Sequence, residues 1–176
     1  MPKTLYWYPV RVTYGRVLLL KKHLDVIKIK CFVPMLRKTK FIKDKPVTKL
    51  VPAITNYIFI YTNRTTLYNL KNELENSIPI RFLLHPVTKL PLIIPKDQMN
   101  NFIAVSGTLD DQLVYLKASE LNFKKGDQVR IIDGPFKGVV GNFVRIKGDR
   151  RVVVSIEGVM AVATAFIHPS LILPLD

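Results

Sequence analysis

The run from Lys125 to Gly141, Lys-Gly-Asp-Gln-Val-Arg-Ile-Ile-Asp-Gly-Pro-Phe-Lys-Gly-Val-Val-Gly, leaves little freedom in what it can fold into. Val129 and Ile131 alternate with Arg130, the period-two signature of a strand with one buried face. Asp133-Gly134-Pro135 forces a turn, because glycine accepts a positive φ and proline fixes its own at about −65°. Gly138 and Gly141 mark points where the next strand bends or passes close to another backbone. Apolar strand, not helix, follows these glycines. A phosphate or dinucleotide loop is therefore disfavoured, since that chemistry uses the N-terminus of a helix.

Further strands are expected downstream. Asn142 to Lys147 and Arg151 to Ile156 flank a Gly148-Asp149 turn, Met160 to Ile167 follows a Glu157-Gly158 turn, and Leu171 to Leu173 closes an edge. With its glycines, its Asp133 to Phe136 turn and the run Arg150-Arg151-Val152-Val153-Val154, this half resembles the KOW motif of small SH3-like barrels. Such barrels travel with the transcription and translation machinery, and closing one removes exposed strand edges.

Charge separates the two halves. Residues 1–104 hold 18 Lys+Arg against 5 Asp+Glu, whereas residues 105–176 hold 9 against 8. A basic first domain joined to a nearly neutral second one points to a polyanionic partner for the first. The single cysteine, Cys31, offers no disulfide framework and suits a reducing cytoplasm. No apolar run approaches the ~20 residues that span a bilayer, and no leader-like segment opens the chain, so no membrane association is expected. His23, His85 and His168 lie far apart and lack companions at metal-ligand spacing. No nucleophile elbow, P-loop or paired-carboxylate motif occurs, so neither catalysis nor a metal or cofactor is expected. Cys31, beside Phe32 in an expected buried strand, reads as core.

The first half reads as α/β. Trp7 to Thr13 is a strand with Tyr8, Val10 and Val12 on one face and Trp7, Arg11 and Thr13 on the other; Pro9 needs an edge or a non-bonded position. Val17, Leu20, Leu24 and Ile27 form a helical apolar stripe. Lys30 to Met35 is strand, and a basic segment with a hairpin tip at Asp44-Lys45-Pro46 follows. Ile54 to Tyr61 is the most apolar strand. Thr65-Thr66 caps a helix burying Leu67, Leu70 and Leu74. Pro79 to Leu84 is a strand, and Pro95 opens a helix presenting Met99, Phe102 and Ile103 inward. Ser106-Gly107-Thr108 with Asp110-Asp111 reads as linker, with a short extra strand at Leu113 to Lys117.

This order of elements, followed by a KOW barrel, resembles the NusG family over nearly the whole chain. Trp7-Tyr8 with Gly15, Phe32-Val33-Pro34, Asn56-Tyr57-Ile58-Phe59-Ile60, Ser77-Ile78-Pro79 and Leu92-Ile93-Ile94-Pro95 match its amino-terminal landmarks. The resemblance implies an α+β, two-domain protein. Residues 1–106 would form the NusG N-terminal-like domain, an antiparallel sheet flanked by helices; 107–123 would be a linker and 124–176 the KOW domain. General NusG proteins carry Phe-Pro-Gly-Tyr where this chain has Ile54-Thr55-Asn56-Tyr57. The stretch Gly158 to Ala165, with His168-Pro169-Ser170-Leu171 after it, is instead similar to the UpxY-type paralogues, antiterminators of particular operons such as those making capsular polysaccharide. The alternatives are a housekeeping NusG-type elongation factor and a KOW-bearing ribosomal RNA-binding protein.

For such a chain the resemblance implies a cytoplasmic, monomeric protein that docks on the clamp of RNA polymerase and suppresses pausing and termination. It assigns polymerase contact to Tyr57, Ile54 and Pro52; from strand pattern alone, Tyr57 packs in the sheet. It assigns the non-template DNA strand to Thr13, Tyr14, Arg16, Asn76 and Arg81, where stacking and cationic groups suit unpaired bases. Lys38, Lys40, Lys43 and Lys45 are expected either as general phosphate contacts or as part of a mobile hairpin. Phe136 either meets a ribosomal protein or the termination factor Rho, or caps the barrel core; the residues leave both open.

Overall fold

The computed structural model describes residues 3–121 and 126–175. Lys125, first residue of the motif above, and the expected boundary at 123/124 lie outside the described residues. The strands are β1 (Tyr6–Val12), β2 (Cys31–Phe32), β3 (Met35–Ile42), β4 (Lys45–Pro52), β5 (Tyr57–Thr62), β6 (Ile80–Phe82), β7 (Val114–Lys117), β8 (Gln128–Ile131), β9 (Val140–Ile146), β10 (Asp149–Ile156), β11 (Met160–Ala163) and β12 (Ile172–Pro174). The helices are α1 (Val17–Val26), α2 (Arg64–Leu74) and α3 (Lys96–Ser106). Contacts group them into two compact units, each discontinuous in sequence: Met1–Pro34 with Pro52–Lys96, and Met35–Val51 with Asp97–Asp176. The contiguous division at 106 and 124 therefore does not coincide with the compact units, because the β3–β4 hairpin and α3 group with the carboxyl-terminal half.

The first unit is built on a four-stranded antiparallel sheet in the order β2-β5-β1-β6. Tyr8, Val10 and Val12 are fully buried, as are Val17, Leu20 and Leu24 of α1 and Leu67 and Leu70 of α2. This is the face that the alternation and the helical stripes specify. Ile27, expected on that stripe, is 43% exposed, because α1 stops at Val26 and the backbone turns away. The cap of α2 is Asn63, not Thr65 or Thr66: its side chain accepts from Thr66 N at 3.0 Å. Pro9 sits in a central strand at no cost. Val12 N donates to Asn56 O on the β5 side, so alternation turns the peptide groups of Trp7, Pro9 and Arg11 the other way. There β6 pairs with β1 only from Val10 to Val12, and the missing N–H of Pro9 faces no ladder partner.

In the second unit six antiparallel strands follow the order β12-β8-β9-β10-β11-β7. Both faces of β10 and β11 are covered, since Val152, Val153, Val154 and Met160 through Ala163 are all buried. Val153, Ala161 and Ala163 pack against Val114, Leu116, Leu121, Val144 and Ile146. That double burial explains why these strands read as continuous apolar runs rather than alternating ones. The strand expected to reach Ile167 ends at Ala163, where buried Thr164 takes over: its hydroxyl accepts from Val152 N and donates to Ala165 O.

The diagnostic turn closes as its residues demand. Asp133 Oδ1 accepts from Gly134 N at 2.8 Å, Gly134 has φ +86°, and the hairpin is sealed by Ile131 N to Val139 O at 2.9 Å. Gly141 is required for a different reason: a Cβ there would lie 2.5 Å from Val153 O. The β3–β4 hairpin turns one residue earlier than expected, at Lys43-Asp44, both with positive φ (49° and 60°), the pattern of a tight two-residue turn. On α3, Met99, Phe102 and Val105 are buried, with Ile103 half-buried at the margin.

Candidate nucleic-acid interface

The residues assigned to the unpaired DNA strand converge in the first unit. After β1 the chain reverses through Tyr14 and Gly15, with φ +58° and +65°, before entering α1. This reversal lies against the turn between α2 and β6, because Thr13 N and Oγ1 both donate to Pro79 O, at 3.4 and 3.3 Å. Arg16 reaches across the same junction to donate to Ser77 O, beside the exposed Asn76. Its guanidinium carbon lies 5.7 Å from the ring centroid of Tyr14, which is 84% exposed. An outward aromatic face with a cation beside it can stack on an unpaired base while meeting a phosphate.

Arg81 joins this cluster through β6, whose register sets it directly across from Arg11. The sequence reading placed Arg11 on the correct face but gave it no role. Its signal, alternation with Trp7 and Thr13, gives the face and not the cross-strand neighbour. On its other side Arg11 faces Tyr57 of β5. Its Nε donates to the Tyr57 hydroxyl at 3.0 Å, and its guanidinium carbon is 5.4 Å from the ring centroid. Two arginines directly opposite on paired strands repel, and among the described residues no acidic side chain bonds to either. An anion bound between them would reverse the sign of that interaction.

The residues assigned to polymerase lie at the same end of the sheet. Tyr57 and Ile54 are each 8% exposed, and Pro52 is half-buried, with the adjacent Ala53 N donating to Pro34 O. Tyr57 is thus a packed residue whose hydroxyl orients Arg11. The same face carries Trp7 and Tyr61, rings 5.2 Å apart, with Lys30 Nζ at 5.6 and 5.5 Å from the two ring centroids.

The hairpin lysines belong to the second unit. Lys38 and Lys40 line one hollow together with Lys49, while Lys43 occupies the turn and Lys45 follows it. Phe136 occupies the core position of its two readings, with only 3% of its surface exposed. Cys31 is half-buried rather than core, with its thiol 3.9 Å from Asp25 Oδ1; burial pushes that thiol up to about 11, with the Asp25 carboxylate adding to the effect. Among the described residues no group of three or more His, Cys, Asp or Glu side chains could hold a metal, and no helix is long and apolar enough to cross a membrane.

The first unit is thus an antiparallel sheet backed by two helices, with arginines and an exposed tyrosine at one end. The family model described as "Transcription termination factor nusG" matches residues 5–103, more than half of the chain, and the chain belongs to the NusG family. No curated protein matches it. Among solved structures it is similar to one titled "Domain interaction in Thermotoga maritima NusG", with 20% identity, 98% of each chain covered and a TM-score of 0.46.

Proposed function

We propose that this chain is a specialised NusG paralogue of the UpxY type, which binds transcribing RNA polymerase and suppresses pausing and termination in particular operons, those for surface or capsular polysaccharide foremost. The observation that carries this reading is the convergence of Thr13, Tyr14, Arg16, Asn76 and Arg81 on one exposed end of the first unit. A general factor needs only to hold the polymerase. An exposed ring with several arginines around it provides the means to read an unpaired non-template strand.

The polymerase clamp would dock at the neighbouring Tyr57, Ile54 and Pro52, with Arg11 held outward by the tyrosine hydroxyl. The demand on such a factor is small. A tenfold cut in pause occupancy needs about 1.4 kcal/mol of preference for the unpaused state. The second unit would be the KOW barrel, meeting a ribosomal protein or Rho through the loop that Phe136 anchors from inside.

Single-round transcription by the cognate polymerase through a pause and a terminator tests the reading. The expected result is increased read-through that depends on one leader sequence and is lost in an Arg16→Gln/Arg81→Gln variant. Read-through on every template, unchanged in that variant, would instead mark a general elongation factor.

A further inference from the structure

The far end of the β1–β5 pair carries a cluster that the site above does not use. Register sets Tyr6 across from Thr62, the last residue of β5, and the chain enters α2 two residues later. Tyr8 shares the helix-covered face with Tyr6, their rings edge to face at 6.5 Å. Tyr8 is 1% exposed, and among the described residues its hydroxyl has no hydrogen-bond partner. Burial raises this phenol above its ordinary value, and the charge of Arg64, first residue of α2, opposes the shift. The hydroxyl therefore stays protonated at neutral pH, a donor beside a cation and without an acceptor.

The start of α2 adds to that imbalance. Asn63 caps Thr66 N, which leaves the amides of Arg64 and Thr65 with no carbonyl inside the helix to bond. No acidic residue stands in the first turn, and Arg64 places a cation at the positive pole of the helix dipole. Among the described residues no carboxylate pairs with Arg64. One turn further on, Tyr68 follows Arg64 on the same helix face and is 40% exposed. Its ring meets Phe82 of β6 edge to face at 5.3 Å, packing that holds the tyrosine in place, and Lys71 Nζ is turned over the Phe82 ring at 5.1 Å.

We infer that this corner binds a mononucleotide, its phosphate between Arg64, the start of α2 and the Tyr8 hydroxyl, and its base on the Tyr68 ring. A phosphate oxygen supplies the acceptor that the buried phenol lacks, and its charge offsets both Arg64 and the helix pole. The neighbours of that phenol, Tyr6 and Arg64, are themselves exposed, so a rotamer change in either admits the phosphate. One cation and one helix end fit a single phosphate rather than the run of phosphates along a strand. The outward tyrosine gives the attached base a stacking surface. Tyr6 stands roughly 16 Å along β1 from Arg11, at the opposite end from the Tyr14–Arg16 cluster. The site is therefore separate from the one proposed to read DNA.

Calorimetric titration of the full chain with adenosine 5′-monophosphate, inorganic phosphate and adenosine tests the inference. The nucleotide should bind at least about fivefold more tightly than phosphate and at least about tenfold more tightly than adenosine. Arg64→Gln should weaken the nucleotide by about tenfold or more. Tyr68→Ala should weaken it by about fivefold or more while leaving inorganic phosphate unchanged. Tyr8→Phe should weaken nucleotide and phosphate alike, by about fivefold, without lowering the melting temperature of the free protein, in which the hydroxyl makes no bond. A hydroxyl with a structural role alone would give the reverse, a lower melting temperature with unchanged affinity, and that result overturns the inference. So does an absence of nucleotide binding, or a nucleotide held no more tightly than phosphate or adenosine. Transcriptional read-through depends on none of these residues, so the two readings fail separately.

Discussion

Replacing Tyr57 separates packing from docking only if the ring and its hydroxyl are removed separately. The ring is 8% exposed between β1 and its own strand, so Tyr57→Ala excises a nearly buried aromatic. Such truncations cost roughly 3–5 kcal/mol, through lost transfer energy and an unfilled cavity. In a unit of this size each 1 kcal/mol lowers the midpoint by roughly 4–8 °C, so the alanine variant should melt at least about 12 °C below wild type. Tyr57→Phe removes only the hydroxyl that accepts from Arg11 Nε at 3.0 Å. That bond is part-buried and should be worth about 0.5–1 kcal/mol, roughly 2–8 °C. Thermal unfolding followed by circular dichroism measures both. Polymerase binding should then be compared at a temperature where each variant is folded, and the phenylalanine variant should keep it, the ring being the apolar anchor. An alanine variant that melts within about 3 °C of wild type would refute the packing argument. Loss of binding in the phenylalanine variant would instead shift the anchor from the ring to the oriented Arg11.

Gly141→Ala and Gly134→Ala should destabilise for different reasons and by different amounts. At Gly141 the new methyl meets Val153 O at 2.5 Å and Val152 Cγ1 at 2.8 Å, so β9 and β10 must part, with a cost of about 2–3 kcal/mol. At Gly134 nothing lies within 4 Å and only the positive φ is strained, a cost of about 1–2 kcal/mol. Urea midpoints should follow that order, and equal losses would contradict it. Cys31 makes stability depend on alkaline pH. Its folded-state value, about 11, lies above the ordinary thiol value of 9.0, so folding favours the protonated form. That contribution is complete below pH 9 and is lost as pH rises through 11. The stability difference between wild type and Cys31→Ser should therefore shrink between pH 8 and 11 in denaturant titrations; a constant difference would mean the thiol is not buried as described.

Patterns that depend on near neighbours in sequence were legible, and those that depend on cross-strand partners were not. The faces of β1, the stripes of α1 and α2 and the turn at Asp133 follow from periodicity and backbone preference, which act over a few residues. Capping by Asn63 was missed because two threonines nearby are nearly as good, and only the geometry of the loop selects among them. The hairpin tip was displaced by one residue because Pro46 draws attention as a turn former, although the turn needs two positive φ angles and Lys43-Asp44 supplies them. At the site, Tyr14, Arg16 and Arg81 were found through the family resemblance. Arg11 was not, since its importance lies in its register with Tyr57 and Arg81, residues far away in sequence.

Register is also what turns a diffuse basic composition into specific sites. Eighteen basic residues in the first 104 would, if scattered, mean little more than solubility. The fold instead sets Arg11 across from Arg81, with no acid bonded to either among the described residues. Cross-strand pairs of opposite charge stabilise sheets by a few tenths of a kcal/mol to about 1 kcal/mol, and like pairs cost similar amounts. A sheet under selection for stability alone has an easy remedy, because a single Glu or Gln at either of these exposed positions would remove the penalty. On the reading proposed above, phosphates between Arg11 and Arg81 would convert that repulsion into two attractions, so that the complex rather than the free sheet is the stabilised species.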